Sequence, residues 1–317
     1  MNPDVETQVK GSRRRKPLHR RRWFVVSCAL ALLVLLLDLV LVFGTHGSSG
    51  EVKIKRLEGL PVETPVQELT LMSVNLAHGR ADGFHQMLQS KGRIRGNIEA
   101  IGDLIHEEGV HVAALQEADG PSWWSGGYSH VEHLGRHCGM SHAVEGRNVD
   151  GLGLNYGTAI ISKTQIHKAQ QVTFERNFPT LSKGYVCATC EWPGDDAFQF
   201  EVFSIHLDFA SGSVRRRQLE DLSGRLAELG TANRPFVILG DFNTDTTSTS
   251  FRTLIEDHGL QTWEPENLDV ITFPGLEKRI DWVLVSPGLV ITEHVVLDES
   301  VSDHRAVRVR IRREKHE

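Results

Sequence analysis

Short apolar runs, each ending at glycine or at polar residues, recur along the chain from about residue 68. Eight of these runs have the length and the Val, Ile and Phe content of β-strands: LTLMSVN, VHVAALQE, YGTAIISK, GYVCATCEW, FQFEVFSIHLD, PFVILGDFN, RIDWVLVS and DHRAVRVRI. Two other stretches, RGNIEAIGDLIHEEG and SVRRRQLEDLSGRLAELG, repeat apolar residues at helical spacing and end at glycine. The pattern predicts an α/β domain with many strands and few helices.

An apolar stretch near the N-terminus breaks this pattern. Residues 23–43 carry a single charge, Asp38, and follow the basic run RRRKPLHRRR. At 1.5 Å of helical rise per residue the stretch matches the hydrocarbon core of a bilayer, and the flanking arginines favour a cytoplasmic N-terminus. We therefore expect a basic cytoplasmic tail (1–22), a transmembrane signal anchor (23–43), a Gly/Ser-rich linker (44–67) and a catalytic domain (68–317) that is periplasmic or extracellular.

The charge is unevenly distributed between these parts. Residues 1–50 hold eight Lys and Arg against three Asp and Glu, and the remainder holds 27 against 38, a net charge of −11. Nucleic-acid-binding proteins usually present a basic surface to phosphates, so the acidic domain disfavours DNA or RNA as a partner.

The cysteines do not indicate a metal or redox site. Cys187 and Cys190 form a CxxC within a strand-like run, where residues three apart point to opposite faces. A disulfide to Cys138 stays open if the domain is exported.

Polar residues repeatedly stand where an apolar run ends or begins. Those that follow a run are Asn75, Glu117, His206 and Asp241, and those that precede the last run are Asp303 and His304. Ligands of sheet proteins tend to collect where strand ends converge.

Taken in chain order, the words SVNLAHG, LQEAD, SIHLDF, LGDFNTD, RIDWVLV and SDHRAV resemble the endonuclease/exonuclease/phosphatase superfamily, over about residues 70–312. The likeness is to its deoxyribonuclease-like and sphingomyelinase-like members. It implies a four-layer sandwich of two packed mixed β-sheets flanked by helices, here preceded by one transmembrane helix. It also implies a phosphodiesterase or phosphatase that uses Mg²⁺, with Mn²⁺ as a substitute.

The resemblance implies a metal site built on carboxylates. Glu117 is the expected principal ligand, Asn75 assists it, and Asp303 lies beside the metal or the leaving group. Mg²⁺ uses few protein carboxylates and keeps several waters, so this donor set suits it.

The same likeness assigns a water-handling role to the GDFNTD segment. Asp241 orients or deprotonates the attacking water, and Asn243 holds that water and a phosphate oxygen. Their spacing predicts an extended segment that aims both side chains the same way. Asp245 is expected to cap the following turn.

Three further residues complete the expected catalytic group. His304 contacts the scissile phosphate, and Asp281 fixes its tautomer. His206 protonates the leaving oxygen or binds phosphate.

Two long loops emerge from strands that end at the expected metal. Trp123, Trp124 and Tyr128 are candidates to stack on a substrate or to rest at a lipid interface, and packing over the core is the alternative. Arg80 is a candidate for a second phosphate, with a solvated surface as the alternative.

The leading hypothesis is a membrane-anchored, Mg²⁺-dependent phosphodiesterase or phosphatase acting on a phospholipid or its headgroup. The alternatives are an extracytoplasmic nuclease acting on DNA or RNA and a catalytically silent binding module of the same fold. The last is disfavoured because each polar position that the chemistry needs holds a competent residue. The oligomeric state stays open.

Overall fold

The fold was analysed in a computed structural model, which describes residues 43–62, 64–231 and 234–314, with residues 23, 24, 26–29, 32 and 40. The strands in chain order are β1 Gly50–Glu51, β2 Ile54–Arg56, β3 Glu68–Asn75, β4 Val112–Asp119, β5 His142–Glu145, β6 Val149–Gly151, β7 Leu154–Ser162, β8 Ile166–Thr173, β9 Gly184–Trp192, β10 Asp195–His206, β11 Phe236–Asp241, β12 Asp281–Val285, β13 Leu289–Val296 and β14 Val307–Arg313. The α-helices of the domain are α1 Lys91–Glu107, α2 His130–His137, α3 Gly212–Thr231 and α4 Thr249–Asp257.

The strands form two mixed sheets. One has the order β13-β14-β3-β4-β7-β5-β2, with β6 paired to β7, and the other has the order β1-β8-β9-β10-β11-β12. Each contains one parallel pair, β3 with β4 and β10 with β11, among antiparallel neighbours. Parallel neighbours need a crossover connection, which α1 supplies for the first pair and α3 for the second.

Successive side chains along each strand point to opposite faces of its sheet, and this alternation divides the apolar core into three layers. Leu69 and Leu71 of β3 pack between the two sheets, whereas Met72 and Val74 pack under α1. In the other sheet, Val202 packs between the sheets and the neighbouring odd-numbered residues pack under α3 and α4. The sandwich of two packed sheets flanked by helices is therefore confirmed.

All eight runs predicted as strands and both predicted helices are present. The short strands β1, β2, β5 and β6, the longer strands β8 and β13, and helix α2 were not predicted, whereas α4 begins at Thr249, where the sequence favours a helix start. In β8, IHKAQQVT, exposed and partly exposed polar residues dilute the apolar signal. Helix α2 has only eight residues, too few to stand out by apolar periodicity.

The segment predicted as a linker lies against the domain. Strand β1 pairs with β8 at one sheet edge, and β2 pairs with β5 at an edge of the other sheet. Before β1, the Gln171 amide donates to the Ser48 carbonyl at 2.9 Å, and the Thr173 hydroxyl donates to the same oxygen at 2.8 Å. Small residues allow the backbone to lie this close to an edge strand.

Most of the predicted anchor lies outside the described residues. Those of residues 23–43 that are described are helical. Across the part of the chain that the structure describes, no helix is long and apolar enough to cross a bilayer.

All four cysteines are free. Cys187 faces α3 and Cys190 faces the space between the sheets, as the strand periodicity predicts. Cys138 lies under the helices of the opposite sheet, so the disulfide that the sequence left open is not formed.

A buried arginine holds the loop that leads into β12. Arg279 is 2% exposed and donates from its guanidinium to the carbonyls of Trp263, Glu264 and Asn267 at 2.7 to 2.9 Å. The same group lies 4.0 Å from the ring centroid of Trp282. The loop end that it fixes is the start of β12, Asp281.

We expect Arg279→Met to lower the free energy of unfolding by about 3 kcal/mol, because three buried carbonyls lose a charged donor. Urea unfolding should show a lower midpoint at an unchanged slope. Arg216→Met is the control, since Arg216 is exposed and pairs with the exposed Glu220, and it should change stability by less than about 0.5 kcal/mol. Equal effects of the two substitutions would contradict the assigned role of Arg279.

Candidate active site

Four of the predicted residues meet at one end of the space between the sheets. Asn75 ends β3, His206 ends β10, Asp241 ends β11 and Asp281 begins β12. Each shares its strand's face with the residues that fill the inter-sheet core, because side chains two apart point the same way. His206 is in register with Asp241, and Asp241 is in register with Asp281, so three functional side chains stand on adjacent strands.

A polar layer separates this group from the apolar core. The Ser73 hydroxyl donates to the Gln116 side-chain oxygen at 3.4 Å, and the Gln116 amide donates to the Ser204 hydroxyl at 3.1 Å. Ser204 in turn donates to the Leu115 carbonyl at 2.8 Å. The buried polar groups are therefore satisfied by one another.

His304 and Asp281 form a buried ion pair. The imidazole Nδ1 donates to Asp281 at 2.9 Å, and Nε2 lies 3.8 Å from Asp241 Oδ2. Burial alone would lower the pKa of His304, but the carboxylates of Asp281 and Asp241 outweigh it and raise the pKa to about 10. His304 is therefore an imidazolium at neutral pH, oriented by Asp281.

Asp241 lies at the centre of the group. Its Oδ2 accepts from the Asn75 amide at 3.2 Å and lies 3.4 Å from His206 Nε2, and its Oδ1 accepts from the Asn243 backbone at 2.9 Å. Burial raises the pKa of Asp241 to about 7. A carboxylate whose pKa lies near neutrality is suited to accept a proton from water.

His206 is held in its neutral form by Lys183. Burial and the neighbouring ammonium bring the pKa of His206 well below its usual range. Lys183 Nζ lies 3.4 Å from His206 Nδ1, so that nitrogen is the acceptor and Nε2 carries the proton toward Asp241. In the free enzyme His206 is thus a neutral hydrogen-bond donor.

Glu117 and Asp303 converge on a single cationic group. Arg80 donates from Nη1 to Glu117 at 3.4 Å and from Nη2 to Asp303. Burial alone would raise the pKa of Glu117, but the cations around it outweigh burial and hold the pKa well below its usual range. Arg80, expected at a second phosphate, lies between the two expected metal carboxylates.

A histidine–aspartate pair that was not predicted from the sequence lies beside Glu117. His78 Nδ1 binds Asp119 at 2.7 Å, and His78 Nε2 lies 3.4 Å from Glu117. The Trp124 indole donates to Asp119 at 2.8 Å, and its ring stacks on Tyr156 with centroids 5.4 Å apart. His78 was visible in the word NLAHG, three positions after Asn75, and Asp119 in LQEAD.

Lys183 was missed for a topological reason. It precedes β9, whereas most of the site residues predicted from the sequence follow a strand. Because β9 runs antiparallel to β10, its first residue, Gly184, lies beside His206, and Lys183 is therefore brought to the candidate active site.

Asn243 is placed differently from expectation, and Tyr128 and Trp123 lie in two different surroundings. Asn243 has a left-handed backbone with φ 50°, so the segment is not extended there, and its amide donates to the Leu207 carbonyl at 3.0 Å. Tyr128 packs against His130 and His133 of α2. Trp123 is half exposed, and its indole donates to the Leu152 carbonyl.

Asp245 caps the turn that follows β11, as its sequence position predicts. Its Oδ1 accepts from the Thr247 backbone at 2.9 Å.

Several site residues have a backbone conformation that disfavours ordinary side chains. His78 and Glu117 have φ of 54° and 48°, and Glu117 lies at a bulge where the β4–β7 register shifts. Non-glycine residues in this region cost about 1–3 kcal/mol each. At this bulge the Glu117 side chain points toward His78 and Arg80.

Two groups of side chains could hold a divalent metal, and the carboxylates of Glu117 and Asp303 fit it better than the group around His304. Glu117 and Asp303 offer hard carboxylate oxygens that already share one cation, which is the chemistry Mg²⁺ requires. Within the described residues, the one group of three or more His, Cys, Asp and Glu ligand atoms that all lie within 4.8 Å of one another is Asp241, Asp281 and His304. A metal there would have to displace the proton of His304.

The sequence model of the endonuclease/exonuclease/phosphatase family matches residues 72–304. This chain belongs to the endonuclease/exonuclease/phosphatase family. Enzymes of this family hydrolyse phosphate esters and generally require a divalent metal ion. The chain is therefore a phosphate-ester hydrolase, and the resemblance seen in its motifs is confirmed.

Solved structures share the fold at low sequence identity. A Bacteroides thetaiotaomicron mannosyl-6-phosphatase is 20% identical, with 77% of this chain and 99% of that chain covered and a TM-score of 0.58. The human Nocturnin catalytic domain with bound sulfate is 16% identical, with 83% and 98% covered and a TM-score of 0.55. A Bacteroides vulgatus member of the family is also 16% identical, with 78% and 100% covered and a TM-score of 0.61. No curated protein matches the sequence.

We expect Asp281→Asn to lower the pKa of His304 in the metal-free protein, because burial then acts without the main opposing carboxylate. His304 should change from charged to neutral at pH 8, and turnover should fall at least about 100-fold. Imidazole NMR titration measures the pKa directly. Asp298→Asn, at an exposed ion pair with Arg305, is the control and should change neither quantity. An unshifted His304 in the Asp281 variant would refute the pairing.

Proposed function

We propose that this chain is a membrane-anchored, Mg²⁺-dependent phosphodiesterase or phosphatase that hydrolyses a phospholipid or its headgroup by in-line attack of water. The observation that carries the reaction is the placement of Asp241, a carboxylate with a pKa near neutrality, 3.8 Å from a charged His304. Proton acceptance and anion stabilisation then come from neighbouring but different groups.

The reaction builds negative charge on the oxygens of the phosphoryl group. In the proposal, Asp241 takes a proton from the attacking water while the His304 imidazolium stabilises a phosphate oxygen. Asp281 keeps His304 charged and oriented. His206 donates a hydrogen bond from Nε2 to a phosphate oxygen, and Lys183, at Nδ1, keeps the hydrogen of His206 on Nε2.

Glu117 and Asp303 would hold the Mg²⁺ ion, with Asn75 close by through its bond to Asp241. When bound, the ion supplies charge stabilisation to the phosphate and its leaving oxygen. Arg80 would then give up its contact with one or both carboxylates and become free to meet substrate. Mn²⁺, which also prefers oxygen ligands, is expected to substitute.

The membrane part of the proposal is supported by the sequence of residues 23–43. The described side chains of that stretch include Trp23, Phe24 and Phe43, each more than 60% exposed. The basic run before it favours a cytoplasmic N-terminus and a periplasmic or extracellular domain. A structural neighbour that is a mannosyl-6-phosphatase supports a phosphate ester as substrate.

We expect Asp241→Asn to reduce hydrolysis of bis(4-nitrophenyl) phosphate at least about 1000-fold, because an amide cannot accept the proton. Asp245→Asn is the matched control: it changes the same residue type four positions on, in a turn where Asp245 acts only as an acceptor to Thr247. Its activity should match that of the unmodified protein. Full activity of the Asp241 variant would remove the proposed mechanism.

We expect Glu117→Gln to raise the Mg²⁺ concentration for half-maximal activity by about 10–100-fold, because an ionised ligand is lost. Chelator should abolish activity in the unmodified protein, and added Mg²⁺ should restore it. Glu99→Gln is the control, since Glu99 pairs with Arg95 and His133 away from the site. An unchanged Mg²⁺ requirement in the Glu117 variant would exclude Glu117 as a ligand.

Comparing phospholipid with single-stranded and duplex DNA separates the proposed lipid substrate from the nuclease alternative. The acidic domain predicts lipid turnover and weak or no DNA cleavage. Faster cleavage of DNA than of lipid would favour the nuclease.

A further inference from the structure

Most exposed large apolar side chains lie at the end of the domain that holds the candidate active site, which we call the active end. Outside residues 23–43, the structure describes nine large apolar side chains that are at least half exposed, and eight of them lie in loops at this end. Phe84, Met87 and Leu88 follow β3, and Phe209 follows β10. The ninth, Leu60, follows β2 at the opposite end, near the start of β5.

The remaining four lie in loops that flank the same end. Trp123 follows β4 and Leu152 lies in the turn between β6 and β7. Phe178 lies between β8 and β9, and Leu276 precedes β12. We name Phe84, Met87, Leu88, Leu152, Phe178 and Phe209 the apolar rim. Scattered single apolar residues need no explanation, but their collection around one site does.

Direct contacts connect the rim to the site. The Trp123 indole donates to the Leu152 carbonyl, and the Trp123 and Trp124 rings lie 6.5 Å apart. Trp124 then contacts the ring of His78 at 5.1 Å. On the other side, Asp208 accepts from Asn177, next to Phe178, and precedes Phe209.

The apolar stretch 23–43 ends at the same rim. The Phe43 ring stacks on Phe178 with centroids 6.3 Å apart, and the Gly44 backbone packs directly against the Leu152 side chain. His46 and Asp150 then exchange two backbone hydrogen bonds of 2.9 and 2.7 Å. The chain is therefore bound to the domain from the first residue after the stretch.

We infer that the apolar rim inserts into the surface of the bilayer that holds residues 23–43, so that the active site opens toward lipid headgroups. The inference rests on the proposed function, because the anchor belongs to that proposal. The bilayer is the expected partner of the apolar rim because the chain runs directly from one to the other. The segment that ends at Phe43 has the length and composition of a membrane span, and Phe43 itself contacts the rim residue Phe178. A headgroup phosphate could then be reached without extracting the lipid from the bilayer.

The depth of the rim can be measured without activity. In full-length protein carrying Cys28→Ser, the variant Phe178→Cys is labelled with an environment-sensitive fluorophore, and Leu60→Cys is labelled as the matched control. Both proteins are reconstituted into vesicles of phosphatidylcholine, phosphatidylethanolamine and phosphatidylglycerol at 2:2:1, with or without brominated acyl chains. The label at 178 should shift to the blue and lose at least about half its emission to brominated lipid, whereas the label at 60 should do neither.

Equal, water-like spectra at the two positions would overturn the inference. A blue shift at position 178 without quenching by brominated chains would also overturn it, since a protein contact would then cover the rim.

Activity provides a second readout. The variant Phe84→Asp/Phe178→Asp/Phe209→Asp should lose at least about 10-fold in the release of water-soluble phosphate ester from the same vesicles, yet hydrolyse soluble bis(4-nitrophenyl) phosphate like the unmodified protein. Leu60→Asp should change neither rate. Equal vesicle rates for the triple variant and the unmodified protein would overturn the inference. Failure of the unmodified protein to hydrolyse any phosphate ester would instead refute the proposed function, and the fluorescence result would still decide the position of the rim.

Discussion

The register of three adjacent strands is the constraint on which the site depends. His206, Asp241 and Asp281 are matched positions on β10, β11 and β12, and all three share a face with the inter-sheet core. A shift of one residue in any of these strands would exchange its functional side chain for one that faces the helices. The packing of the sandwich and the positions of the reacting groups are therefore specified by the same hydrogen-bond ladders.

Charge at this end is arranged so that neighbouring groups of the same type differ in protonation. His304 carries a proton because Asp281 and Asp241 face it, whereas burial and the neighbouring Lys183 ammonium lower the pKa of His206 and keep it neutral. Glu117 stays ionised among cations, whereas burial favours the neutral form of Asp241. Groups of one chemical kind are thereby given different tasks by their surroundings, which is how acid and base functions are separated within a small volume.

Much of the fold and part of the candidate site could be predicted from the sequence, because the alternation of apolar residues and the position of a residue at a strand end are local properties. Eight of the strands, the two long helices and the clustering of Asn75, His206, Asp241 and Asp281 followed from them. Lys183 could not be found this way, since its place depends on β9 running antiparallel beside His206. The turn of Asn243 out of the strand depends on a single positive φ, and the position of Arg80 depends on a tertiary pairing with Asp303. Such features arise only when distant segments meet.

The left-handed backbone at His78, Glu117 and Asn243 has a consequence for engineering. These residues hold conformations that glycine would adopt at little cost, so replacing them with glycine is expected to relax the native backbone locally. Each carries a side chain that the cluster uses, so any gain in thermal tolerance at these positions would come at the expense of turnover. A programme to stabilise this enzyme should therefore leave the ends of β3, β4 and β11 unchanged and work on the distal face of the sandwich.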